Sequence, residues 1–217
     1  MTIDLRFAVR GRARFLSHLE CVDVLLAAFR RAGLPVALSQ GMRPKPVISL
    51  ALARAVGVES EDELAIVELV DEHDPGEVAA FLAATLPRGI EVQSVTHSAG
   101  PARVVASRFR VELDAPADVV AAAAERYANL REAPIERRSP RRTRTVDVKA
   151  SAPSVEVVDG GLEVEIAALD EGSARPEEVA RALAECAGAP LTVVRVVRLE
   201  LRVARPVRVG AAHGETA

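Results

Sequence analysis

Apolar and polar residues alternate from position 3 to position 9, which is the two-residue period of a strand with one buried face. From position 19 to position 29, apolar residues recur every three or four positions, and this period predicts a helix. Ser17 and Glu20 have the spacing of a capping box at the start of that helix. Gly33, followed by Pro35, ends it. The chain therefore begins with a strand and an amphipathic helix.

The same two periods predict the other elements of the first half. Asp74 and Pro75 are typical of a helix start, and the helix is predicted to extend to about residue 86. Strands are predicted at residues 36–39, 63–70 and 90–97, with a further apolar segment at 47–52. The resulting order, β-α-β-β-α-β, is that of the ferredoxin-like fold.

The pattern returns after a joint at residues 99–101. Helices are predicted at 116–130 and 176–186, the second of them ending at Gly188. The strands of this half are predicted at residues 104–113, 134–138, 145–150, 161–169 and 191–203. We therefore predict an α+β protein of two tandem ferredoxin-like halves with antiparallel sheets. The halves are residues 1–98 and residues 103–209, and residues 210–217 form a frayed tail.

Composition limits the chemistry of the chain. Hydrophobic residues make up 49% of the 217 residues but aromatic residues only 3%, which argues against an aromatic platform for single-stranded nucleic acid. Cys21 and Cys186 lie in apolar helical patterns and are predicted to be buried free thiols, too few for a four-cysteine metal site. No apolar run reaches the roughly 20 residues of a membrane span, and the first residues lack a signal-peptide core. We expect a cytoplasmic protein with no cofactor, no metal site and no membrane contact.

Charge is distributed in blocks along the chain. Residues 1–54 carry nine Lys and Arg against three Asp and Glu, a net charge of +6, whereas residues 55–99 carry one against ten, a net charge of −9. Such blocks can polarise the folded surface. The acidic run at residues 59–63 has no His or Cys beside it and fits no calcium loop, so we predict a solvated turn there. The chain also lacks a nucleophile elbow, a phosphate-loop lysine motif and a dinucleotide fingerprint, so it has no complete catalytic set.

The first candidate site is the start of the first helix, at Ser17 and His18. A helix N-terminus offers free amides and a partial positive charge, which suit an anion such as phosphate. His18 could add a proton donor or acceptor there. The alternative is that Ser17 is only a cap and His18 only a surface residue of the first turn.

The second candidate is the Gly- and Pro-rich loop at residues 39–46. Its Gly and Pro residues surround Arg43 and Lys45, so a stiff backbone could present two cations to a phosphate or carboxylate. The alternative is a solvated connection between strands.

The third candidate is an arginine-rich segment that carries five Arg within residues 137–144, with Lys149 beyond it. Arginine clusters suit phosphate recognition, although nothing in this one implies base readout or a preference for DNA. The alternative is a charged strand edge that discourages aggregation. The arginines of this segment are Arg137, Arg138, Arg141, Arg142 and Arg144.

Several of these residues belong to a longer pattern. Residues 15–20 (FLSHLE), 29–35 (FRRAGLP), 39–46 (SQGMRPKP) and 56–60 (VGVES) together resemble the radical SAM-linked family of unknown function, domain of unknown function 2344. The resemblance covers most of residues 1–98 and extends more loosely to residues 145–149. It differs in the loop, where the family usually has Phe-Asn-Pro-His-Pro-Lys: the family's His position is Lys45 here, and its Lys position is Val47. We therefore expect the loop to bind an anion through its cationic side chains rather than to use a histidine as an acid or base.

The resemblance implies a site and a set of partners. The residues that fall on the family's motif are Ser17, His18, Arg31, Ser39, Gln40, Gly41 and Pro44. They would converge if the loop folded over the start of the first helix. The family's domain stands alone or follows a radical SAM protein, and its genes often neighbour a ribonuclease of the E/G type. A radical SAM protein or such a ribonuclease is therefore the implied partner, with RNA or a phosphate-bearing ligand as the implied target.

Three functions remain open on these grounds. The leading one is a non-catalytic RNA-binding or substrate-presenting module. The second is an RNA-processing endonuclease with His18 as its general acid or base, an analogy at the level of fold alone. The third is a protein-interaction subunit that docks partners through its charged faces.

Overall fold

The computed structural model describes residues 1–139 and 142–205. Arg141, the side chain of Arg142 and the predicted tail at 210–217 lie outside the described residues. The strands are β1 (Thr2–Val9), β2 (Ile48–Leu50), β3 (Glu59–Glu68), β4 (Ile90–His97), β5 (Arg103–Asp114), β6 (Pro134–Ser139), β7 (Arg142–Asp147), β8 (Glu156–Val158), β9 (Gly161–Ala167) and β10 (Thr192–Ala204). The helices are α1 (His18–Arg31), α2 (Pro75–Thr85), α3 (Ala117–Asn129), α4 (Val148–Ser151) and α5 (Pro176–Ala187), with a 3-10 turn at Gly11–Phe15.

The first half is an antiparallel sheet in the order β4-β1-β3-β2 with α1 and α2 packed on one face. The alternating residues Ile3, Leu5 and Phe7 are fully buried beneath the helices, as the period of β1 predicts. The capping box of α1 is present, since Ser17 accepts from the Glu20 amide and the Glu20 carboxylate accepts from the Ser17 amide. Local sequence signals therefore set both the buried face and the start of the helix.

The second half has the corresponding order β10-β5-β9-β8, with α3 and α5 on one face. Between α3 and β8 the chain forms a separate β6–β7 hairpin, which carries the arginine-rich segment. α5 ends where predicted, because Gly188 adopts the left-handed conformation (φ 67°) that closes a helix. A mixed α+β fold with mostly antiparallel strands is thus confirmed.

The two halves share one sheet. β3 pairs with β10 in parallel, at Glu59 with Val197 and at Ser60 with Arg198. Farther along the same edge of β3, from Ala65 onward, β2 replaces β10 as the neighbour. The seam between the halves, meaning the region around this β3–β10 contact, is therefore an edge-to-edge junction with both sets of strands in a single layer.

Two predicted strands differ from the structure, because long-range strand pairing or helix capping determines the conformation there. Residues 36–39 form only isolated bridges, Val36 to Leu69 and Leu38 to Pro46, rather than a strand. The predicted strand at 145–150 stops at Asp147, because the Asp147 side chain accepts from the Lys149 amide and starts the short helix α4.

Candidate ligand-binding cleft at the seam

The acidic run at residues 59–63 forms the first half of β3 and lies at the seam. Glu59 and Glu63 are buried, so the prediction of a solvated turn is wrong. Glu59 forms ion pairs with Arg195 of β10 and with Arg14. Burial alone would raise the pKa of Glu59, but the hydrogen bonds from the two guanidiniums outweigh it and hold that pKa below its usual value. Arginines distant in sequence therefore neutralise acids that the local pattern assigned to solvent.

Glu63 is the centre of a buried charged cluster. Arg198 Nη1 donates to Glu63 Oε1 at 2.7 Å, and Arg54 Nε lies 4.0 Å from the same oxygen. The side chains of Arg198, Arg54 and Glu63 are only 4%, 6% and 3% exposed. Burial raises the pKa of Glu63 and lowers the pKa of Arg54, while the opposite charges resist both shifts. Two guanidiniums against one carboxylate leave the cluster with a net charge of +1.

The two arginines of the cluster differ in how their donors are used. Arg54 donates to main-chain carbonyls on two segments, including Arg14 O at 2.8 Å and Leu16 O at 3.2 Å. It thereby fastens the segment before α1 to the loop before β3. Arg198 donates only to Glu63 among the described residues, and its buried Nε has no acceptor. Arg198 therefore retains donors for a ligand, whereas Arg54 has a structural role.

A cavity of about 680 Å³ opens beside this cluster, on the helix-bearing side of the seam. Its floor is formed by Ser107 and Phe109 of β5, Ile166 of β9 and Arg198 of β10. One wall is the loop at residues 52–55 with Val58, and the other is the start of α5 at residues 174–178. We call this cavity the seam cleft. Its volume lies within the range of roughly 300–1,000 Å³ that is typical of small-molecule sites.

The N-terminus of α5 is already satisfied by a side chain of the protein. Glu178 accepts from the Arg175 amide at 2.8 Å and from Arg137 Nε at 2.6 Å. Pro176 at the first helical position has no N–H to offer. Glu178 therefore occupies the position that an anion would take at the end of this helix. The cations of the cleft lining are Arg54, Arg175 and Arg198, and Arg198 is the one whose buried Nε lacks an acceptor among the described residues.

Of the residues predicted from sequence, Ser17 and His18 lie outside the cleft lining. Ser17 is occupied by the capping box, and His18 is exposed on the first turn of α1. Arg31, at the other end of that helix, donates to Thr85 O at 2.8 Å and so joins α1 to α2. These positions have structural roles or face solvent.

The Gly- and Pro-rich loop projects from the opposite end of the first half. Ala37, at its base, donates to Glu68 O at the end of β3, whereas α1 begins near the start of β3. Eight residues of β1 separate these ends by about 25 Å. Within the loop, the Ser39 hydroxyl accepts from the Lys45 amide at 3.0 Å. The loop side chains named in the prediction, Ser39, Gln40, Gly41, Arg43, Pro44 and Lys45, are all exposed. The structure does not bring the base of this loop to the start of α1.

Much of the arginine-rich segment is used in contacts within the protein. Arg137 pairs with the buried Glu178 and so fastens the β6–β7 hairpin to α5. Arg138 pairs with its exposed neighbour Glu136, and Arg144 donates to Glu171 O at 3.3 Å. Beyond the hairpin, Lys149 donates to Pro153 O at 2.6 Å and lies 4.7 Å from the centre of the Tyr127 ring. The segment thus stabilises the second half.

Sequence reasoning missed the residues that form the cleft. Arg54 sits in an Ala-rich loop without a motif, and Phe109 follows the ordinary period of a strand. Arg198 gives one weak signal, since it lies two positions after the buried Val196 and so shares its inward face. A single inward arginine in a strand does not reveal its partner, because Glu63 is 135 positions away.

Comparison with known proteins places the chain in a family. In the described parts of the chain, no group of three or more His, Cys, Asp or Glu side chains is arranged to hold a metal ion. None of the described helices combines the length and apolarity needed to span a membrane. No curated protein matches the chain. Residues 2–176 match the family described as uncharacterised proteins conserved in bacteria (DUF2344), and because the match covers well over half of the chain, the protein belongs to that family.

Proposed function

We propose that the protein is a non-catalytic substrate-presenting module of a radical SAM-associated system, and that it binds its ligand in the seam cleft. The observation that carries the proposal is the cavity of about 680 Å³ with the buried Arg198 at its floor. A concave, mostly apolar site with one or two convergent polar groups is the usual form of a small-molecule site.

The lining of the cleft favours binding over chemistry. Its walls and floor are mainly aliphatic. Glu178 is committed to Arg137, and Arg54 to main-chain carbonyls. Ser107, the buried serine of β5, has no His beside it in the lining, and among the described residues neither lining carboxylate, Glu177 or Glu178, is hydrogen-bonded to it. An activated nucleophile needs such a base, so the lining supports a holding role.

The cleft can be tested with the apolar anion 1-anilinonaphthalene-8-sulfonate and the full chain. We expect saturable binding with one site per chain, abolished by Ala53→Phe, which places a ring on the cleft wall. Ala80→Phe, an exposed substitution on α2 away from the cleft, is the matched control and should bind as the wild type does. Equal binding by both variants would show that the probe does not occupy the cleft.

RNA binding is the second candidate, and the exposed cations Arg43 and Lys45 favour it. The internal contacts of Arg137, Arg144 and Lys149 make the arginine-rich segment a poorer phosphate grip than its sequence predicts. Structured RNA at about 50 mM salt tests this candidate, because phosphate contacts are strongest at low salt. The double variant Arg43→Ala, Lys45→Ala should lose that affinity, and Arg88→Ala, Arg131→Ala is the control with the same change in charge. Unchanged affinity in the first double variant would contradict a role for the loop.

We further propose a partner, a cellular location and a tandem arrangement of the two halves. The partner is a radical SAM protein or a ribonuclease of the E/G type, and the location is the cytoplasm. The free thiols of Cys21 and Cys186 support a reducing compartment, although Cys186 is half-buried rather than fully buried. The matching strand orders of the two halves support a tandem ferredoxin-like arrangement. For the endonuclease alternative, the required result is loss of RNA cleavage in His18→Ala.

A further inference from the structure

We propose that the ligand of the seam cleft is a small monocarboxylate with an apolar body, whose carboxylate binds Arg198. This inference rests on the proposed function and names the class of substrate that the cleft holds. It is carried by the geometry of Arg198, by the charge of its cluster and by the apolar surface around it.

The guanidinium of Arg198 is only partly used in hydrogen bonds. Nη1 is directed to Glu63, while Nε has no acceptor among the described residues although it is fully buried. A buried donor without an acceptor costs free energy that a ligand can recover. Nε and Nη2 form the fork of a guanidinium that matches the two oxygens of a carboxylate. Arg198 is therefore suited to a two-point contact with such a group.

The net charge of the cluster favours a ligand with a single negative charge. Arg54, Arg198 and Glu63 together carry a net charge of +1, and a carboxylate would bring the site to neutrality. A phosphate monoester would add up to a second negative charge. Arg54, the other buried cation of the lining, cannot meet that charge because its donors are used by main-chain carbonyls, and Arg175 lies at the exposed rim. An uncompensated charge in a buried site is costly, so the cluster favours a monoanion.

The apolar surface next to Arg198 favours a ligand whose remaining atoms are apolar. The guanidinium carbon of Arg198 lies 5.6 Å from the centre of the Phe109 ring. Val58 and Ile166 line the same cavity and bury most of their surface, as does Phe109. Across the cleft, Glu178 already occupies the start of α5, so a second anionic group there would meet a carboxylate. A ligand with one acidic end and an apolar remainder fits both surfaces.

The test compares octanoate, octyl phosphate and 1-octanol by isothermal titration calorimetry with the full chain. These probes share one alkyl chain and differ in the head group. We expect octanoate to bind at one site at least about tenfold more tightly than either of the others, since a charge-assisted hydrogen bond is worth about that factor or more. Arg198→Lys keeps the charge beside Glu63 but loses the fork, and it should weaken octanoate by about tenfold. Arg202→Lys, an exposed arginine on the same strand, is the matched control and should bind as the wild type does.

The outcomes separate this inference from the proposed function. If octyl phosphate binds as tightly as octanoate and Ala53→Phe blocks both, the preference for a carboxylate is wrong but ligand binding in the cleft is supported. If 1-octanol binds as tightly as octanoate, Arg198 does not bind the carboxylate. This comparison needs only the wild-type protein. Failure of every probe, including the naphthalene sulfonate, would overturn the inference and the proposed function together.

Discussion

Arg198 on β10 and Glu63 on β3 form a buried ion pair that joins the two halves of the protein. Their side chains meet at 2.7 Å, and the residues are 135 positions apart in sequence. The pair lies beside the short parallel contact of the two strands, and its Arg198 lines the seam cleft. One of the contacts that join the halves therefore also positions a guanidinium at the cleft.

Removing one partner of this pair should destabilise the protein strongly. Glu63→Ala leaves Arg198 and Arg54 buried without their carboxylate, and we expect a loss of about 3–5 kcal/mol in the free energy of unfolding. Glu165→Ala breaks the exposed pair with Arg202 and should cost less than about 1 kcal/mol. Urea unfolding of both variants measures the difference. Equal losses would show that the buried pair contributes no more than a surface pair.

The Arg137–Glu178 pair should make stability depend on acid pH. Burial alone would raise the pKa of Glu178, but hydrogen bonds from Arg137 and the Arg175 amide outweigh it and hold the pKa below its usual value. The stabilisation is therefore present above the unfolded pKa of about 4.3 and is lost as the pH falls through it toward the lower, folded value. Urea midpoints measured from pH 7 to pH 3 should fall less for Glu178→Gln than for the wild type.

The same variant has a second measurable consequence. At pH 7, Glu178→Gln should lose about 1–3 kcal/mol because a buried charge-assisted contact is removed. The neighbouring Glu177→Gln changes an exposed carboxyl group on the same turn and should keep the wild-type pH profile. A wild-type profile in Glu178→Gln would contradict the assignment of this acid sensitivity to the pair.

Ser17 should behave as a helix cap. Ser17→Ala removes the side-chain half of the capping box and should cost about 0.5–2 kcal/mol, whereas Ser17→Asp, another good cap, should restore most of the loss. Binding of the naphthalene sulfonate should not change in either variant, since Ser17 does not line the cleft. Thermal unfolding and fluorescence titration measure the two effects. Weaker probe binding in Ser17→Ala at full folding would instead support an anion site at the start of α1.

Two adjacent glycines should respond differently to alanine. A Cβ at Gly161 would lie 2.1 Å from Val111 O, so β5 and β9 would have to separate, at a cost of about 1–3 kcal/mol or more. A Cβ at Gly160 meets no atom within 4 Å, and its cost comes from the positive φ of 75°, about 1 kcal/mol. Chemical denaturation should therefore rank Gly161→Ala as the less stable variant. The opposite order would contradict the close approach of the two strands.

The features that the sequence predicts correctly depend on residues close together in the chain, whereas the cleft depends on residues far apart. The capping box at Ser17, the cap at Asp74 and the end of α5 at Gly188 depend on residues within four positions of one another, so their sequence signals were sufficient. The acidic residues of β3 were misassigned to a turn because two of the arginines that neutralise them, Arg195 and Arg198, come from β10, which is distant in sequence. A run of charged residues is exposed to solvent only when no oppositely charged side chain from a distant part of the chain pairs with it.

The sequence by itself determined the alternating faces of β1, the extents of the main helices and the mixed α+β character of the chain. These features depend on hydrophobic period and local capping, which are local properties of the chain. The tertiary structure alone decided that the halves join edge to edge, that Arg198 meets Glu63 and that a cleft opens beside them. The physical reason is that pairing of β3 with β10 depends on contacts between residues more than 130 positions apart, and no local pattern encodes which edges will meet.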